Sequence, residues 1–215
     1  RIAGRTQVLV TGSIDREKLA VIKNYCTPDL EIVEVAIDPA TGCMDLSDLK
    51  AKLCGRTGVV YFENPSYLGV LEVQAQEIAK LAHEAGAQCV VGVDPISLGV
   101  LSAPRSYGGD IVCGDLQPLG IHMNYGGGQS GFMATMDDPK YVLEFPSRLF
   151  GICCTNTPGE YAFGDVAYDR TSFGHLREKA KEYVGTQSAL WGITAGVYLA
   201  TMGPKGMEEV GETIM

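Results

Sequence analysis

Asp94 ends the apolar run QCVVGVD (88–94) and is followed by Pro95. In an open α/β sheet, ligands bind beyond the carboxyl ends of the strands. A carboxylate emerging there can hold the protonated ring nitrogen of a bound cofactor. The string Asp-Pro-x-Ser equally suits a turn, with the aspartate as turn-former or cap. Two other strand ends call for inspection on the same ground, Glu63-Asn64-Pro65 and Gly114 to Gln117. A carbonyl cofactor held as a Schiff base needs a lysine amine aimed at the site. From Lys80 to Lys140 the chain has no lysine, although that span covers the Asp94 strand, the strand DIVCG (110–114) and the loop behind it.

Other candidates point to less. Gly126-Gly127-Gly128 would let backbone N–H groups approach an anion. It matches neither the P-loop nor the dinucleotide fingerprint, so a tight turn before a strand is the expectation. His83, His122 and His175 lie far apart, none with a second ligand at metal-binding spacing, so no metal site is expected. His83 reads as a surface or partly buried helix residue. Cys153-Cys154 lack the C-x-x-C spacing and are expected to be buried or loop thiols. No G-x-S-x-G elbow is present, and no residue is nominated as catalytic.

The elements that must position these residues alternate. QVLV (7–10), EIVEVAID (31–38), TGVVYFEN (57–64), QCVVGVD (88–94), DIVCG (110–114) and GQSGFMATM (128–136) read as strands. Between them, IDREKLAVIKNYC with Ser13 as N-cap, DLSDLKAKL (45–53) and Glu72–Gly86 carry helical spacing. Such alternation means mostly parallel strands covered by crossover helices, an α/β fold. After Leu149 the texture changes. Residues 151–174 are rich in Gly, Thr and aromatic side chains and read as a long irregular excursion, and a helix is expected from about Leu176 to Met202. Residues 184–202 carry no charge, but Gln187, Ser188, glycines and threonines make them too polar to span a membrane. Gly192 and Gly196 suggest close packing of a buried helix.

The 215 residues include 17 basic and 26 acidic side chains, a formal net charge of -9. That balance argues against nucleic-acid or anionic-membrane partners, which need clustered Lys and Arg. Seven scattered cysteines fit a reducing cytoplasm better than a disulfide framework. No signal peptide is visible, and the Arg1 start suggests that upstream sequence has been removed.

The segments YFENPSYLGVLE, LAHEAGAQCVVGVDPISLGVL, GGDIVCGDLQPLGIHMNYGGGQSGFMAT and HLREKAKEYVGTQSALWGITAGVYLATMGPKG resemble, in order and spacing, the glycine-cleavage P-protein family. More narrowly they are similar to subunit 1, the α chain, of its two-subunit bacterial form, glycine dehydrogenase (decarboxylating). The resemblance runs from about Gln7 to Met215. It implies a three-layer α/β sandwich with a mostly parallel sheet, the fold type I, aspartate-aminotransferase-like large domain of pyridoxal-phosphate (PLP) enzymes. Residues 1–150 would be that domain, incomplete at its N-terminus, 151–175 a loop region typical of P-proteins, and 176–215 a helix leading to a small C-terminal domain outside the chain. Family members are longer, so the chain is expected to be an internal fragment.

By resemblance, a lysine in the loop after the DIVCG strand carries PLP in the partner β chain. Here that loop reads Gly114-Asp115-Leu116-Gln117-Pro118, with Gln117 or Pro118 at the lysine's place. Asp94 matches the aspartate that pairs with the pyridine nitrogen, and without the lysine it is expected to be vestigial. The implied chain is therefore a non-catalytic half of an α2β2 enzyme whose β chain holds PLP. That assembly decarboxylates glycine and passes the aminomethyl group to the lipoyl arm of H-protein. The excursion at 151–174, with Arg170 and Arg177, is the expected contact region. The rival readings are a non-enzymatic scaffold or regulatory chain of the same fold, and a self-sufficient PLP enzyme using Lys179 or Lys181.

Overall fold

The computed structural model describes residues 2–123, 128–145, 149–166 and 188–215. Ala3–Thr135 with Ser188–Met215 form one compact unit, and Met136–Gln187 with the first two residues form another.

In the larger unit, strands β1 (Gln7–Thr11), β2 (Glu31–Val35), β3 (Thr57–Glu63), β4 (Gln88–Val93), β5 (Ile111–Asp115) and β6 (Gly131–Thr135) make a six-stranded sheet in the order β2-β1-β3-β4-β5-β6. All neighbours are parallel except β5 and β6. Helices α1 (Arg16–Cys26), α2 (Leu46–Lys52) and α3 (Ala75–Glu84) are the crossovers. The sheet is therefore the mostly parallel one that the alternation implies.

Side chains alternate across the strands and divide the core in two. Leu9, Val60, Phe62, Cys89 and Val91 pack with Leu49 of α2 and with Ile78, Ala79 and Ala82 of α3. Val10 and Tyr61 face the other way, against Ile14 and Leu19. Helix α3 presents small and β-branched residues at helical spacing to the sheet, and Gly86 at φ +71° turns the chain out of it. Helix α1 is capped by Asp15, whose carboxylate accepts the N–H groups of Glu17 and Lys18, both at 3.3 Å. Ser13, expected as the cap, is buried and bonded instead to the Thr11 hydroxyl at 2.9 Å. The helix starts two residues later because Asp15, not Ser13, reaches its free N–H groups. Edge strand β2 carries Glu31 and Glu34, paired with Arg56 (2.8 Å) and with Arg16 (2.6 Å) and Lys23 (3.1 Å).

In the smaller unit, α4 (Pro139–Val142) precedes an antiparallel hairpin of β7 (Leu149–Cys154) and β8 (Tyr161–Val166). This corrects the expectation of an irregular excursion: within 151–166 the chain forms paired strands. Phe150 and Phe163 stack at 5.6 Å, and Phe150, Ile152, Tyr161 and Phe163 are exposed on the hairpin.

Helix α5 (Ala189–Ile214) belongs to the larger unit and runs beyond the expected end at Met202, with non-helical backbone at Gly203 before Pro204. The start expected at about Leu176 falls outside the described residues. Ala195 and Met207 pack against Ile96 and Leu119, whereas Leu190, Ile193 and Val197 are exposed. Gly192 and Gly196 have open space where a Cβ would stand, so the described packing of this helix does not use them. No described helix is long and apolar enough to cross a membrane.

Candidate functional site

The carboxyl ends of β3, β4 and β5 open onto a cavity of about 480 Å³. Its lining includes Glu63, Asp94 and Asp115 from these strand ends, Tyr61 and Cys113 from within the sheet, and Lys18 from the first turns of α1. Glu63 is 6% exposed and forms an ion pair with the Lys18 ammonium. The Tyr61 hydroxyl donates to the same Glu63 oxygen, Oε1, at 2.9 Å. Burial, reinforced by the Glu63 charge, pushes the Tyr61 hydroxyl well above its ordinary pKa, so it stays a neutral donor. Burial likewise raises the Cys113 thiol, partly offset by Lys18. Gly92 on β4 makes room for this network, since a Cβ there would lie 2.5 Å from the Tyr61 hydroxyl oxygen.

Asp94 stands where the sequence places it, exposed at the end of β4 and on the cavity wall. Its Oδ1 accepts the Ile96 N–H at 2.9 Å and its carbonyl accepts the Ser97 hydroxyl at 2.7 Å. It therefore forms the turn, with a second carboxylate oxygen that no described protein group bonds. The loop after β5 is tied to itself. Asp115 Oδ1 accepts the Gln117 N–H at 2.7 Å, the Gln117 side chain donates to the Ile121 carbonyl at 2.9 Å, and Pro118 lines the cavity.

The other candidates lie elsewhere. His83 on α3 pairs with Asp110 at 2.8 Å, and the same Asp110 oxygen accepts the Cys89 N–H at 2.8 Å. This tie fixes α3 to the start of β5. His122 is exposed, and Gly128 is buried against the Trp191 ring. His175, Gly126, Gly127, Arg170, Arg177, Lys179 and Lys181 fall outside the described residues. No cluster of three metal-ligating side chains exists among the described residues. Cys153 and Cys154 are exposed on β7, which corrects the expectation of buried or loop thiols: the two-stranded hairpin leaves both of them open. In native protein near neutral pH, alkylation is expected to label Cys54, Cys153 and Cys154 and to spare Cys89. Burial pushes the Cys89 thiol up to about 12, while the Arg56 backbone N–H holds Cys54 below its ordinary value. Mass spectrometry of the labelled peptides reads the order, and early label on Cys89 would show that β4 is not buried.

Sequence reasoning reached Glu63 and Asp94 through their places at strand ends but missed Lys18 and Tyr61. Tyr61 had a signal, its period-2 relation to Glu63. Lys18 comes from a helix 45 residues away from Glu63, and nothing local marks it.

A parallel sheet with an antiparallel edge strand and a cavity beyond its strand ends defines an open α/β protein, and the solved structures it matches are of PLP fold type I. The structural relatives agree. Sphingosine-1-phosphate lyase from Burkholderia pseudomallei shares the fold, with a TM-score of 0.58 at 13% identity over 98% of this chain and 44% of that one. A glycine decarboxylase (P-protein) of the glycine cleavage system, crystallised in inhibitor-bound form, matches with a TM-score of 0.84 and 34% identity, covering 96% of this chain and 45% of that one. The glycine cleavage system P-protein family matches residues 2–215, and the chain belongs to that family. It is 41% identical over 213 residues to a protein of Pyrococcus furiosus named probable glycine dehydrogenase (decarboxylating) subunit 1, covering 98% of this chain and 46% of that protein. The protein of the same name from Carboxydothermus hydrogenoformans is 38% identical, covering 96% of this chain and 45% of its own length. The chain thus spans slightly under half the length of the relatives it matches.

The cofactor of this fold is an anionic phosphate ester, and the cavity does not fit it. Among the described lining residues three carboxylates, Glu63, Asp94 and Asp115, face one ammonium, Lys18, that Glu63 already occupies. Among the described residues no second cation lines the cavity to meet a phosphate.

Proposed function

We propose that the chain is part of subunit 1, the α chain, of a two-subunit glycine dehydrogenase (decarboxylating), and that the PLP used by the assembly is carried by the partner β chain. The observation that carries this reading is the loop after β5. Gln117 is folded back onto Ile121 and Pro118 stands on the cavity wall, where the fold needs an amine. In an α2β2 assembly in the cytoplasm, the pair would decarboxylate glycine and pass the aminomethyl group to the lipoyl arm of H-protein. The α chain supplies structure and surface near the active-site entrance, and Asp94 is a relic of the cofactor site. The boundaries at 150 and 175 belong to this proposal.

The region 151–174 is the proposed contact with the β chain, and the exposed Phe150, Ile152, Tyr161 and Phe163 of the hairpin support it. Two strands alone are marginal in water and need a covering surface.

Full-length protein alone is expected to release no carbon dioxide from glycine in the presence of H-protein. Co-expressed with a lysine-bearing second subunit, it is expected to co-purify and become active. Removing 151–174 is expected to weaken that pairing. Release by the single chain would sink the reading, and pairing without any gain in activity would favour the scaffold. Unchanged pairing and activity after the deletion would remove the hairpin from the interface.

A further inference from the structure

Beyond lacking the lysine, the cavity contains a device of its own. Among the described residues Lys18 supplies the one ammonium of the lining, and so the one positive charge there to meet an anion. It is not free to do so. Its partner Glu63 is almost wholly buried, and that carboxylate is fixed from a second side by the Tyr61 hydroxyl at 2.9 Å. Stripping a counter-ion from a buried carboxylate is unfavourable, because the charge left behind has no water to solvate it. An incoming phosphate ester must therefore break this pair and at the same time approach Asp94 and Asp115. Gly92 shows that the network is built into the sheet, since any side chain at that position would collide with Tyr61 and crowd Glu63.

We propose that Glu63 is the residue that closes this cavity to pyridoxal phosphate, by holding Lys18 in an internal ion pair and leaving the rest of the lining negative. The pair takes the place of a cofactor, so the sheet edge needs none. This inference rests on the reading of the chain as the cofactor-free subunit and adds the residue that keeps it so.

The test is equilibrium dialysis of the full-length chain against pyridoxal phosphate, with thermal melting to confirm folding. Wild type is expected to show no saturable binding. Glu63→Gln keeps the shape, removes the charge and frees Lys18, and is expected to gain saturable binding that wild type lacks. Adding Lys18→Met to Glu63→Gln is expected to abolish that gain. Asp94→Asn with Asp115→Asn lightens the negative charge without touching the pair and is expected to leave the cavity closed. This double variant keeps the test decisive even where Glu63→Gln fails to fold, because binding by it would show that Glu63 is not what closes the site. Saturable binding by wild type removes both this inference and the cofactor-free reading. A folded Glu63→Gln chain without any gain removes this inference alone, and failure to pair with a second subunit removes only the assembly reading.

Discussion

Phe62→Ala is expected to cost the protein about 3–5 kcal/mol of stability, the range for truncating a fully buried aromatic. Phe62 is 1% exposed, the largest fully buried side chain among the described residues, and it packs in the same cluster as Val60, Val91, Ile78 and Ala82. Its position on β3 makes the experiment informative about the cavity as well. Tyr61 and Glu63, its neighbours in the strand, point to the opposite face, so the substitution tests the layer on which the cavity floor rests. Urea unfolding followed by far-UV circular dichroism gives the shift in midpoint at constant slope. A loss under about 1 kcal/mol would mean that α3 does not pack on this strand, since even a conservative core truncation costs that much.

Gly99→Ala is also expected to destabilise the protein, for the opposite reason. A Cβ at this position would lie 2.2 Å from the Met207 carbonyl oxygen and 2.6 Å from its carbonyl carbon. Both are backbone atoms, so no rotamer change relieves the clash, and α5 must move away from the turn that follows Asp94. Overpacking of this kind costs about 1–3 kcal/mol and occasionally more. Gly196→Ala is the control of opposite sign. Nothing lies within 4 Å of its Cβ position, and replacing a mid-helix glycine gains roughly 0.5–1 kcal/mol. Hydrogen exchange reads both, with faster exchange at 205–214 in the first variant and slower or unchanged exchange at 193–202, before the break at Gly203, in the second. Equal stability of Gly99→Ala and wild type would show that α5 does not sit on the 97–99 turn.

Most of the sheet was legible in the sequence because its strands carry continuous β-branched runs bounded by Gly, Pro or Asp. That is the signature of strands buried on both faces. Helix ends were less legible. Ser13 and Asp15 are both good caps by type, and only the tertiary bond between Ser13 and Thr11 decides between them. The β7–β8 hairpin carries alternation, in Phe150 with Ile152 and in Tyr161 with Phe163. Glycines and cysteines dilute that alternation below what a helix-oriented reading detects. The site divides in the same way. Asp94 and the missing lysine follow from strand ends and from a count of residue types. The Lys18–Glu63 pair exists only because a crossover helix lays its first turns over a strand that is distant in sequence.

The charged edge of β2 sets the direction in which this sheet can grow. Glu31 and Glu34, with the arginines and the lysine that pair with them, form a solvated border, and a further strand laid there would have to desolvate several ions. Among the described strands β6 forms the other edge, and its sequence GFMAT carries no charge. The asymmetry protects one side against edge-to-edge aggregation and leaves the other receptive. A strand that extends this sheet, whether from the same polypeptide or from a misfolded neighbour, will add at β6.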